Sequence, residues 1–167
     1  MELNSLHDLY LIELKDLYDA ENRIIEALPA MAEAAKSPQL KTALEEHLQE
    51  TRNQVARLER IFNSLNESPK GKKCKGVIGI IDEGEDMIDE TEDSPPAVCD
   101  AALIASAQRV EHYEIAAYGT VRTWAQRLGR TEDAQLLKET LQEEGQADKK
   151  LTALAESYIN EEAESAR

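Results

Sequence analysis

The segment V-E-H-Y-E-I-A-A-Y-G-T, residues 110–120, carries two carboxylates three residues apart inside an apolar helical pattern. Leu103, Ala107, Val110, Tyr118, Val121, Ala125 and Leu128 recur at steps of three and four, the signature of a buried helix face. Glu114 falls inside that stripe and Glu111 beside it. An ionised glutamate is almost never fully buried unless it is paired or bound to a metal, because nothing else replaces its hydration. A spacing of three sets the two side chains about 60° apart around the helix, near enough to reach one cation. The chemistry they suit is coordination of a divalent metal ion by oxygen.

A second acid-bearing stripe lies 93 residues upstream. Tyr10, Leu14, Leu17, Glu21, Ile25, Leu28, Ala32 and Ala35 repeat the same steps in the same order, with a glutamate again in fourth place. The shift also brings His47-Leu-Gln-Glu50 onto Thr140-Leu-Gln-Glu143. Any two amphipathic helices share steps of three and four, but an acid matched inside both stripes is harder to obtain by chance. The repeat implies two helix pairs related by an approximate two-fold axis.

No stripe supplies a base to neutralise these acids: Lys15 and Arg23 lie off the first, Arg109 and Arg122 off the other. Glu21, Glu50, Glu111, Glu114 and Glu143 together carry a formal charge near −5, which two divalent ions would largely cancel. Two-metal bundles place one glutamate on each of two helices, and a glutamate with a histidine one turn away on the others. Here the first helix offers Glu21, the second His47 and Glu50, and the third Glu111 and Glu114. His47 lies centrally on the stripe Leu40, Leu44, Gln54, Leu58 and Ile61. A lone histidine on such a face is more often a hydrogen-bonded core residue, but Glu50 one turn away and the facing acids favour a ligand. On the fourth helix the repeat nominates Glu143, whereas the stripe Leu137, Thr140, Ala147, Leu151 and Leu154 puts Glu144 nearer the centre. Both remain candidates, Glu143 ahead on the repeat, with Asp148 behind them. His112 points about 140° from the middle of its stripe and reads as peripheral, and His7, near a helix start, as structural or exposed. Tyr10, Tyr18, Tyr113 and Tyr118 read as packing residues, with a hydrogen bond to a ligand carboxylate as their polar role.

Four long helices must hold these positions. The pattern predicts them over about residues 5–35, 38–65, 96–128 and 131–160 of a single domain. Ser5 opens the first with a capping-box pattern, and Pro29 predicts a kink inside it. Ser37-Pro38 starts the second, so short a link that the two must run antiparallel. Gly129 closes the third and Thr131 caps the fourth. Residues 66–95 form a crossover with polar breaks at both ends and a short helix in C-K-G-V-I-G-I-I-D-E-G-E-D-M-I-D-E, weakened by three glycines. Two antiparallel pairs joined by one long crossover make an all-α, ferritin-like four-helix bundle.

Composition narrows the function. A formal charge of −15 argues against nucleic acid as a partner and suits a protein that attracts cations. No segment approaches the length and apolarity of a membrane span, and M-E-L-N-S-L-H-D lacks the basic-then-apolar order of a secretory leader. Cys74 and Cys99 have no metal-motif spacing and read as reduced thiols of a cytoplasmic protein.

The segments D-L-Y-D-A-E, H-L-Q-E-T-R-N-Q-V, D-A-A-L-I-A-S-A-Q-R-V-E-H-Y-E-I-A-A-Y-G-T and E-T-L-Q-E-E, in that order, closely resemble the YciE/YciF family of bacterial ferritin-like proteins. The resemblance spans nearly the whole chain. It implies a four-helix bundle with a carboxylate-rich two-metal site, a tendency to form homodimers and an association with bacterial stress responses; it implies no particular reaction. The sequence departs from the wider di-iron pattern, because His47-x-x-Glu50 reverses the usual Glu-x-x-His and the fourth helix has no histidine. Glu111-x-x-Glu114 resembles the third helix of rubrerythrin-like proteins. So oxygen-rich a donor set leaves iron, manganese, zinc and magnesium open, and the resemblance to di-iron bundles makes iron the expectation.

The leading expectation is a di-iron carboxylate protein engaged in metal handling or in oxidation linked to O2 or peroxide. In it Glu21, Glu50, Glu114 and Glu143 are the inner carboxylates, with His47 and Glu111 as terminal ligands. The other expectation is a non-catalytic stress scaffold with a structural or vestigial metal site, using exposed apolar surface around Val77, Ile78, Ile80 and Ile81 as its contact.

Overall fold

The computed structural model of the protein describes residues 3–166. Six α-helices follow in order: α1 (Leu6–Ala34), α2 (Pro38–Leu65), α3 (Lys75–Glu90), α4 (Pro96–Arg127), α5 (Thr131–Leu154) and α6 (Asn160–Ser165). No strand occurs among the described residues. α1 pairs with α2 and α4 with α5, and the two pairs meet through α1 against α4 and α2 against α5. α3 sits in the crossover and lies against α4 and α1. This is a ferritin-like helical bundle.

The helix ends follow from local chemistry. The Ser5 hydroxyl accepts from the Asp8 amide, and the Asp8 carboxylate returns to the Asn4 amide at 3.1 Å, so two unpaired amides are satisfied at once. Ser37 caps α2 just before Pro38. Gly129 takes φ +73, the left-handed conformation that ends α4 at little cost to a residue without Cβ. α5 departs from expectation: Thr131 is its first helical residue, and Arg130 precedes it without a side-chain cap. Asp133 in the first turn pairs with the Arg130 guanidinium instead. The last helix also passes residue 160. A π-turn over Ala155–Ile159 carries it into α6, burying Ile159 and bringing the Tyr158 hydroxyl to Ser37.

Two apolar clusters fill the bundle, one toward each end. One gathers Ile24, Leu28, Leu40, Leu44, Leu103 and Ile104 with Val77 of α3. The other gathers Tyr10, Leu14, Leu58, Phe62, Val121 and Leu137. Along α1 the buried stripe uses Ile24, and Ile25 is only partly buried, so the step from Glu21 is one residue shorter than predicted. The expected exposed face on α3 is largely covered: Val77 is buried, and Ile78, Ile80 and Ile81 are partly buried. Gly76 permits that close docking, since a Cβ there would lie 2.6 Å from the Tyr113 ring.

The α1–α2 turn is fastened to α4 by one carboxylate. Buried Asp100 accepts from the Lys36 amide at 2.7 Å and from the Ser37 amide at 2.8 Å. Each amide would otherwise be left without a partner at a helix boundary. Asp100→Ala should therefore cost about 2–3 kcal/mol of unfolding free energy in urea titrations, with a smaller loss for Asp100→Asn, which keeps one acceptor.

Candidate metal centre

Between the two apolar clusters, all four long helices turn polar side chains inward. α1 supplies Glu21, α2 supplies His47, Thr51 and Gln54, α4 supplies Glu111 and Glu114, and α5 supplies Glu144. Glu21, Glu114 and Glu144 are fully buried, and His47 and Glu111 nearly so. His47, Glu111, Glu114 and Glu144 each offer a donor atom within 4.8 Å of the others, a group able to hold a metal ion. His47 Nε2 stands 3.3 Å from Glu111 Oε1 and 3.9 Å from Glu144 Oε2. Glu21, outside that group of four, interacts with Glu114 and Glu144, and the Tyr118 hydroxyl donates to its Oε1.

The hydrogen bonding here is incomplete. Both oxygens of Glu114, Oε2 of Glu21, Glu111 and Glu144, and both nitrogens of His47 are buried without a hydrogen-bond partner. Buried polar atoms are nearly always satisfied, so such a convergence could hold a cation. The residues present fit that group: hard oxygens from four glutamates and one imidazole, drawn together from four helices.

Each sequence candidate has a definite place. Glu21, His47, Glu111, Glu114 and Glu144 converge on the centre. Glu50 lies at the rim, its Oε2 3.6 Å from His47 Nδ1. Glu143 turns aside into a two-pronged ion pair with Arg57, at 2.6 Å on each prong. Asp148 accepts from Gln108 at 3.0 Å and faces the exposed His112 at 3.2 Å. His7 is exposed. The 93-residue repeat explains the contrast: it pairs Glu50 with Glu143, both outside the inner group, and Thr51 with Glu144. The sequence reading lacked two contributors. Arg57 is a base within reach of an acid expected inside, and Gln54 donates to Glu144 and, at 3.1 Å, to Glu143. Gln54 had a signal, as an amide in an apolar stripe; Arg57 had none, because its target sits on another helix. Neither cysteine touches the centre, and both are buried free thiols.

Comparison with known proteins identifies the family and the fold. The model of a domain of unknown function, DUF892, matches residues 5–164. Protein YciF of Escherichia coli strain K12 is 43% identical over 165 residues, 98% of either chain. The crystal structure of the E. coli stress protein YciF superposes with a TM-score of 0.90, covering 95% of this chain and 99% of that one. YcfI of Rhodopseudomonas palustris is 40% identical, with a TM-score of 0.85 over 90% of this chain and 95% of its own.

Burial pushes the carboxyls of Glu21, Glu111 and Glu114 well above the ordinary glutamate range, and the neighbouring acids, Glu144 among them for all three, push them further. Burial likewise raises the Tyr118 phenol, helped by Glu21 and Glu114, so its hydroxyl stays a donor. A free glutamate titrates near 4.5. Above that value the unfolded metal-free chain releases these protons while the folded one retains them. Their stabilising contribution is thus complete at low pH and is lost as pH rises through the raised values. Each carboxyl that keeps its proton in the folded chain and loses it in the unfolded one adds to that decline. The metal-free protein should accordingly show a Tm that falls as pH rises above the ordinary glutamate range, measured by circular dichroism, and Glu114→Gln should flatten the decline.

Proposed function

The chain belongs to the DUF892 family, and from that premise we propose that it is a di-metal carboxylate protein binding two divalent ions through Glu21, His47, Glu111, Glu114 and Glu144. The observation that carries the reading is the set of buried, partnerless oxygens and nitrogens facing one another. Four ionised glutamates carry −4, and two divalent ions carry +4, so the pair leaves the interior neutral with the imidazole uncharged. Iron is the metal of the di-metal carboxylate bundles this arrangement resembles, and manganese and zinc compete for the same donors. Bound as an iron pair, such a group supplies electrons to O2 or peroxide. The chain's own part is to position and enclose. Tyr118 and Gln54 fix one oxygen each of Glu21 and Glu144, leaving the other free to bind. Arg57 holds Glu143 out of the inner group. The two apolar clusters exclude water from both ends.

The resemblance to the YciE/YciF family supports a homodimeric protein of the bacterial stress response, in keeping with the relative described as a stress protein. Buried free thiols fit the reducing conditions of a cytoplasm. Among the described residues no helix is long and apolar enough to cross a membrane. A second reading, a scaffold whose metal is structural, draws support from the full burial of Glu21, Glu114 and Glu144.

Protein purified without a tag or added metal should contain about two equivalents of iron or manganese per chain by elemental analysis. Glu21→Ala and Glu114→Ala should each lose most of that metal. A wild-type chain that stays metal-free after incubation with ferrous, manganous and zinc salts would overturn the reading. Ferrous-oxidation and peroxide-consumption assays then separate the two forms of it, since turnover belongs to the redox centre and its absence to the scaffold.

A further inference from the structure

A cleft of about 160 Å³ opens between α2 and α5, and its floor is formed by His47 and Glu111. At its mouth stand Glu46, Glu50 and Lys150, with Ala147 on one wall. The Lys150 ammonium pairs with the Glu46 carboxylate across the opening, and both side chains are half-exposed. His47 spans the wall between cleft and centre. Its Nδ1 faces Glu50 at the rim and its Nε2 faces Glu111 and Glu144 inside, and neither nitrogen has a hydrogen-bond partner. We propose that this cleft is the route by which divalent cations reach the buried carboxylates, and that the Glu46–Lys150 pair at its mouth sets the rate of entry. The inference rests on the metal-binding reading above.

A hydrated cation must exchange waters for ligands without crossing a dry region, since an unpaired charge among apolar side chains is strongly disfavoured. The cleft meets that requirement. Carboxylates at the rim, an imidazole in the wall and a carboxylate at the floor offer donors at successive depths, in a volume that holds several waters. A second crevice reaches the same His47 and Glu111 beneath α3, but it measures about 20 Å³ and is lined by Ile24, Leu28, Met31 and Ile81. It offers a cation nothing before the centre itself. Lys150 gives the polar route its control. Its charge opposes an approaching cation, and its ion pair withholds Glu46 from the first encounter. Removing that charge strengthens the local attraction that the acidic chain already exerts on cations.

The test is the rate at which the metal-free full-length chain takes up Co²⁺, followed by stopped-flow absorbance, alongside the final stoichiometry from elemental analysis. Lys150→Gln should load about threefold faster, with an effect that shrinks as salt is raised. Ala147→Leu, a good helix former that fills the cleft from its wall, should load about tenfold slower, a ratio equivalent to about 1.4 kcal/mol. Both should reach the wild-type final content, and circular dichroism should show both folded. Wild-type rates in both variants, with full final loading, would overturn the entry route and leave the metal centre standing. A wild-type chain that never takes up Co²⁺ would overturn the centre and the route together.

Discussion

Carboxylates held within 4.8 Å of one another in the buried middle of a helical bundle repel each other whenever they are ionised. At an effective dielectric near 20, each such pair costs about 3–4 kcal/mol. Glu111, Glu114 and Glu144 make three pairs, which together approach about 10 kcal/mol, as much as the whole stability of an ordinary domain. The bundle cannot carry that charge bare. Protons must take it up in the metal-free chain, or cations in the loaded one, and this choice links the protein's stability to its ligand.

The surrounding architecture limits how the repulsion can relax. Glu21 and Glu144 are each tied by one oxygen, to the Tyr118 phenol and the Gln54 amide. Swinging either acid to solvent would forfeit a buried hydrogen bond and open a void in a packed interior. Arg57 could have neutralised the interior by entering it, yet it is committed to Glu143 outside the inner group. Arg57 thus removes a fifth acid from the group and leaves four facing one another. Asp100 stabilises the α1–α2 turn from α4 and so holds the two helix pairs in a single relative position.

Much of this was legible because period and charge disagree at particular places. Glu21 and Glu114 are visible from the sequence as acids in otherwise apolar stripes, and both are fully buried. His47 and Glu111 follow from their spacing to neighbouring donors. The choice between Glu143 and Glu144 was not legible from the repeat, because the two helix pairs are related only approximately. Thr51 occupies the position that corresponds to Glu144, and Thr140 the one that corresponds to His47. The site is therefore asymmetric even though its framework is nearly symmetric. Ile24 replacing Ile25, and the π-turn after Leu154, were hidden for another reason. A helix drifts against any fixed pattern of threes and fours, and a π-turn inserts one residue into the count.

The division of the interior into two greasy ends and a polar waist has a bearing on how such a protein changes over generations. Cohesion comes from the ends, where Phe62 and Leu58 at one and Leu40 and Leu103 at the other pack without touching the donors' chemistry. Selectivity belongs to the waist, where a handful of side chains decides what is held. Substitutions that tune heat tolerance can accumulate at the extremities while the middle stays intact. Equally, the middle can be retuned for a different occupant while the extremities keep the fold assembled. The same scaffold can in this way adapt to a new environment and to a new task along separate mutational paths.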